Sequence, residues 1–135
     1  MRAGDWLRLY AVGVAVCFGL DLVWLGVVAK GFYQRQFGTL MRPDPQWLPA
    51  TLFYLVYVAA VVVLAAAPAL ERGPLSHALG RGALLGLAAY SAFDLTGLAL
   101  LRGFPVEAAL VDMAWGSALS AVVSWVVAFA GRTWR

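Results

Sequence analysis

The chain is poor in the residues that soluble proteins turn toward water. Charged side chains make up 13% of its 135 residues, about half the share of an ordinary soluble domain. Cys17 is the only cysteine and His77 the only histidine. An internal disulfide and a cysteine-based zinc site are therefore excluded. There is no Ser-His-Asp set, no Gly-rich phosphate cradle and no dinucleotide fingerprint. The basic residues sit singly at segment ends rather than in a stripe, so nucleic acid is not an expected partner.

What is present is apolar. Hydrophobic residues reach 63% and the mean hydropathy is +0.81. So few charges cannot cover that much apolar surface in water, and the expected solvent is lipid. A helix needs roughly 20 mostly apolar residues to cross a bilayer core. Segments 7–29, 48–70, 80–101 and 106–130 meet that need. The stretches between them carry the breakers: "MRPDPQWLP", "ERGPLSHALGRG" and "RGFP". The expected fold is all-α, an integral membrane bundle of four transmembrane helices in one domain over 1–135. The short "RGFP" makes spans three and four an antiparallel hairpin. Arg2 and Arg8 before the first span resemble the start of a signal peptide, but its apolar run is too long and contains Asp21, so it is expected to remain a span.

Basic residues set the expected orientation. Arg2, Arg8, Arg72, Arg81, Arg132 and Arg135 fall on the side of the termini, and Lys30, Arg35, Arg42 and Arg102 on the other. The excess favours cytoplasmic termini. Trp6, Trp47, Trp125 and Trp134 lie near span ends, as interfacial aromatics do. The connector 30–47 mixes aromatics with charges. It is either a short amphipathic helix at the interface or an irregular loop anchored by its rings.

Against this apolar background stand three acids inside the spans: "DLVWLG" from Asp21, "FDLTG" around Asp94 and "DMAWGS" from Asp112. At about 1.5 Å of rise per residue, Asp21 lies roughly 13 Å below the boundary at Lys30, Asp94 roughly 12 Å below Arg102, and Asp112 roughly 9 Å below Val106. All three occupy the half of the membrane away from the termini. Trp115, one turn deeper, reaches the level of Asp21. Asp21 shares a helix face with Trp24, and Asp112 with Trp115. Small residues lead to the acids at spacing four: Gly13 and Cys17 before Asp21, and Gly82, Gly86 and then Tyr90 before Asp94. Gly116, Ser120 and Ser124 repeat the pattern on span four. Such rows let membrane helices approach closely.

An Asp at the bilayer centre costs about 2.5–3.5 kcal/mol on insertion scales, so lipid-facing positions are disfavoured. The expected result is one polar interior lined by Asp21, Trp24, Tyr90, Asp94, Thr96, Asp112 and Trp115, with Tyr54 or Tyr57 from span two. A plainer reading stands beside it. The acids, protonated or bonded to hydroxyls and indoles, would only hold helices together, and each D-x-x-W pair would be one hydrogen bond near an interface. Cys17 reads as a packing residue and His77 as a solvated connector residue. Three carboxylates without His or Cys give only a weak metal signal, and no metal is expected.

The strings "DLVWLGVVAKGFYQRQFG", "LGLAAYSAFDLTGLALL" and "VDMAWG" resemble a family of small bacterial inner-membrane proteins described only as a domain of unknown function. The resemblance covers nearly the whole chain. It rests most on "Y-x-x-F-D-L-T" and "V-D-x-x-W-G", which hold Tyr90, Asp94, Thr96, Asp112, Trp115 and Gly116, together with Asp21 and Trp24. Members often carry Asn after "DLT", where this chain has Gly97, which removes one polar group. The resemblance implies a four-span fold in a bacterial inner membrane and no established activity, substrate or cofactor. The expected function is binding, extended to translocation or modification, of a small or amphiphilic ligand with a cationic or hydroxylated head. The alternatives are an accessory subunit of a larger membrane complex and a small lipid-modifying enzyme with an Asp as acid–base group. Expected partners are the bilayer and either a lipid-like ligand or other membrane subunits.

Overall fold

The computed structural model describes residues 1–134; Arg135, one of the arginines assigned to the terminal side, lies outside them. Among the described residues there is no strand. Four helices are long and apolar enough to cross a membrane: α1 (Ala3–Val28), α3 (Trp47–Glu71), α4 (Ser76–Leu100) and α5 (Val106–Thr133). A shorter helix, α2 (Lys30–Phe37), follows the first of them. The all-α, four-span architecture read from the sequence is the architecture observed.

α4 starts four residues before the expected boundary. Pro74 accepts the first turn's hydrogen bond from the His77 N–H at 3.0 Å. His77 therefore lies exposed on the first turn of a helix rather than in a connector.

The faces that pack against one another are rich in small residues, and many large apolar ones point outward. Leu9, Gly13, Cys17 and Asp21 form the buried edge of α1 at spacing four. Ala78, Gly82, Gly86 and Asp94 form that of α4. Val27, Val56 and Leu84 point outward with at least two thirds of their surface free. In lipid, burying a leucine side chain gains little over leaving it among acyl chains, so association relies on close packing and hydrogen bonds. The α4–α5 hairpin shows how close. A Cβ added to Gly86 would lie 2.2 Å from the Gly116 carbonyl oxygen, and one on Gly82 would lie 2.4 Å from that of Ser120. The two backbones touch where the row of small residues predicts an interface, and the Ser117 hydroxyl donates across it to the Ala83 carbonyl at 2.9 Å.

α3 is divided by its proline. Pro68 has no N–H to give to the carbonyl one turn earlier. The turn Val61–Ala66 just before it is widened into a π-helical one, with the Ala67 N–H bonding to the Val62 carbonyl five residues back. This widened stretch packs against α1, α4 and α5. The remainder of the helix toward the connector, Trp47–Ala60, brings its backbone against α1 alone. α3 thus leans away from α4 in the half of the bundle that holds the acids. At the other end, the Arg132 guanidinium donates to the Ala69 carbonyl at 3.0 Å and to the Gly73 carbonyl. It satisfies one carbonyl of the last turn of α3 and one of the connector just after it.

Candidate functional site

The antiparallel course of α1 and α5 places Trp115 level with Asp21, as the span boundaries imply. The Trp115 indole N–H donates to Asp21 Oδ1 at 2.9 Å. The Tyr54 hydroxyl of α3 donates to Asp21 Oδ2. Asp21 is thus buried and held by donors from two other spans.

Asp112 is served from an element the sequence left ambiguous. Residues 30–37 are helical, and α2 turns Tyr33 inward until 5% of its surface remains free. Its hydroxyl donates to Asp112 Oδ1 at 3.0 Å and accepts the Trp24 indole N–H at 3.1 Å. Burial pushes the Tyr33 phenol up from its ordinary value, so it remains a donor. The amphipathic-helix reading of this connector holds for its first eight residues. Beyond a short 3-10 turn at Gly38–Leu40, residues 41–46 are irregular.

The two D-x-x-W strings are therefore cross-wired. Trp115 of span four serves Asp21 of span one, while Trp24 of span one reaches Asp112 of span four through Tyr33. The two indoles meet between the acids, stacked with centroids 4.4 Å apart and planes 6° from parallel. The same-helix pairing implied by the i, i+3 spacing is not the one formed. The partners are chosen across the α1–α5 interface.

Asp94 is the exception to this provision of donors. It is 0% exposed, and neither carboxylate oxygen has a hydrogen-bond partner. Asp112 of α5 is its neighbouring acid. Tyr90, one turn before it, lies across Gly116, whose added Cβ would meet the ring at 2.2 Å. The Tyr57 hydroxyl is likewise buried without a partner, and its ring stands 6.1 Å from that of Tyr90.

The expected lining needs correction at one residue, Thr96. Among the described residues, no three of the acids, cysteines and histidine are grouped closely enough to hold a metal ion. Asp94 and Asp112 are neighbouring acids, and Asp21 is bonded to Tyr54 and Trp115. Thr96 is exposed. Two residues along a helix is a rotation of about 200°, so nearness in sequence to Asp94 put it on the opposite face. Tyr33 is the residue that sequence reasoning missed. Ala29, Tyr33 and Phe37 recur at spacing four, which is the signal for an inward face of α2.

Where α3 leans away, a groove of about 260 Å³ opens between α3 and α4. Phe53, Ala89, Tyr90, Phe93 and Asp112 line it. Phe53 and Phe93 stand at its mouth, 47% and 60% exposed on the apolar exterior. Asp112 and Tyr90 are its polar groups. Among the described residues the Tyr90 hydroxyl has no hydrogen-bond partner, and no lysine, arginine or histidine bonds to any of the three acids.

No curated protein and no solved structure matches the chain. The profile of one family, described as "Predicted membrane protein (DUF2177)", matches residues 6–129. That match takes in α1 from Trp6, every acid of the site, and α5 to Phe129, and the chain belongs to this family of membrane proteins.

Proposed function

We propose that this membrane protein binds an amphiphile that enters sideways from the lipid, its head at Asp112 and Tyr90 and its tail along Phe53 and Phe93. The observation that carries this reading is the groove itself. It opens on the apolar exterior and ends on a carboxyl and a free phenol. Its volume of about 260 Å³ is small beside the roughly 300–1,000 Å³ of sites that enclose a whole drug-sized ligand. A head group fills it, and the tail stays in the membrane. Asp21, Trp24, Trp115 and Tyr33 then hold the walls in place. The glue reading accounts well for Asp21, whose bonds are complete; Asp94, buried without a hydroxyl or indole donor, takes part in it only when protonated.

The test is photolabelling in lipid nanodiscs with amphiphiles of one chain length carrying a diazirine in the tail and differing in head group. Labelling should concentrate on Phe53, Phe93 and their neighbours, and it should depend on the head. Even labelling of the whole apolar exterior, indifferent to the head, would overturn the reading.

The groove lies on the side away from the termini. From the distribution of basic residues, we infer that this side faces out of a bacterial inner membrane with both termini in the cytoplasm. A C-terminal reporter active only when cytoplasmic should be active, and activity of a periplasmic reporter there would reverse the assignment.

A further inference from the structure

The bonding around Asp94 says more about the ligand than the groove alone does. Its carboxyl is fully buried and has no donor, and its neighbouring acid is Asp112, which lines the groove. The groups around the pair can be named element by element. α1 brings Trp24 and α2 brings Tyr33. α3 brings Phe53 and α4 itself brings Tyr90, both lining the groove with Asp112, and the Tyr57 ring of α3 adjoins Tyr90. The connector before α5 brings Phe104, which packs on Gly97, and α5 brings Asp112. None of these groups is cationic, and Asp21 is occupied with Tyr54 and Trp115.

Two adjacent carboxylates in an apolar surround repel each other, and each lacks the solvation it would have in water. One proton removes both difficulties: protonated Asp94 becomes a donor to Asp112, and the pair then carries a single negative charge. Asp112 already takes the Tyr33 hydroxyl on Oδ1, and a carboxylate has acceptor capacity for more than one donor. A monovalent cation at the groove end does the same work as that proton. Its attraction to both carboxylates and to the faces of Tyr90 and Phe93 replaces the shared hydrogen bond.

Resting on the binding reading above, we propose that Asp94 and Asp112 share one proton when the groove is empty and release it when a cationic amphiphile head enters. Before binding, the pair holds two carboxyl groups and one proton. Afterwards it holds two carboxylates and one organic cation, so its net charge is the same. The proton leaves through Asp112, the more exposed of the two. The ligand class is a singly charged quaternary or alkylammonium amphiphile. A neutral hydroxylated head offers no charge to take the proton's place.

The experiment uses the full chain in lipid nanodiscs, with dodecyltrimethylammonium as the cation and monolaurin as a neutral amphiphile of equal chain length. Saturable binding is measured over protein-free nanodiscs, and proton release is measured with an indicator dye in weak buffer. The expected result is one proton released per cation bound, with the cation's Kd falling about tenfold for each unit rise in pH while the pair is protonated. Monolaurin should release none. Asp94→Asn should abolish the release and leave cation binding independent of pH. Saturable cation binding without proton release would overturn the exchange and leave the binding reading standing. So would binding of monolaurin alone, or release that persists in Asp94→Asn. Absence of saturable binding by either amphiphile would overturn both. If Asp94→Asn is not recovered folded, the proton count on the unmutated chain decides.

Discussion

Near the termini, α3 contributes Val61, Val62, Ala65, Ala66 and Ala69 to the core, none more than 2% exposed. Near the long connector the same helix contributes Tyr54 and Tyr57, one bonded to an acid and the other with a buried, unpartnered hydroxyl. α5 shows the same division. Val123, Val127 and Ala128 are fully buried toward its end, whereas Asp112 and Trp115 stand near its start. One half is filled with small apolar groups and closed at the end by Arg132. The other carries the acids, the stacked indoles and the groove. A bundle held together throughout by packing would have no reason to place Asp94 without a donor. A bundle polar throughout would struggle to form in lipid. The closely packed half supplies the rigidity against which the polar half can keep costly groups in place.

Packing substitutions should produce the largest effect on this division. Gly86→Ala puts a methyl group against the Gly116 carbonyl, and neither backbone can move without opening the α4–α5 hairpin. We expect a loss of about 3 kcal/mol, at the upper end for overpacking. It should appear as a lower melting temperature in detergent and reduced abundance in membranes. A stable Gly86→Ala variant would show that the hairpin is looser than described.

How much of this was legible before the structure follows the same line. The rows ending in Asp21 and Asp94 predicted which helix faces are buried, because a spacing of four has one geometric meaning on any helix. The level of Trp115 against Asp21 followed from the span boundaries. The choice of partners did not. Whether Trp24 bonds to its own helix or to its neighbour depends on which helices adjoin, and α1 could have met α4 first. Tyr33 was hidden because an eight-residue segment with mixed polarity has too weak a pattern to separate helix from loop. Thr96 was misplaced by counting residues rather than angle. The groove depends on the lean of α3. Pro68 hinted at an irregularity there but not at its direction.

A smaller effect should come from the contact that fastens α2 to the polar half. Tyr33→Phe removes the bond to Asp112 and leaves the Trp24 indole N–H without its acceptor. The expected loss is about 1–2 kcal/mol, typical of breaking hydrogen bonds to a partly buried carboxylate. Faster amide exchange across 30–37 than elsewhere would localise it. If exchange rises equally in Val61–Ala66, the two halves are more tightly coupled than their packing implies.

The smallest effect sharpens the map of the polar half. Thr96→Val should change stability by less than about 0.5 kcal/mol, as exposed positions do, and should leave amphiphile binding as it was. Asp94, only two residues away, is the natural control. A clear defect in Thr96→Val would mean that the outer face of α4 takes part in the site.

The two stacked indoles carry one more consequence, an optical one. Indole rings stacked with centroids 4.4 Å apart couple through their strong far-ultraviolet transitions, so Trp24 and Trp115 should give a far-ultraviolet circular dichroism couplet that separate tryptophans would not. One indole is tied to Asp21 and the other, through Tyr33, to Asp112. An event that shifts either acid is therefore expected to change how the two planes stack. The protein carries its own spectroscopic gauge of the site, readable in a membrane without a label.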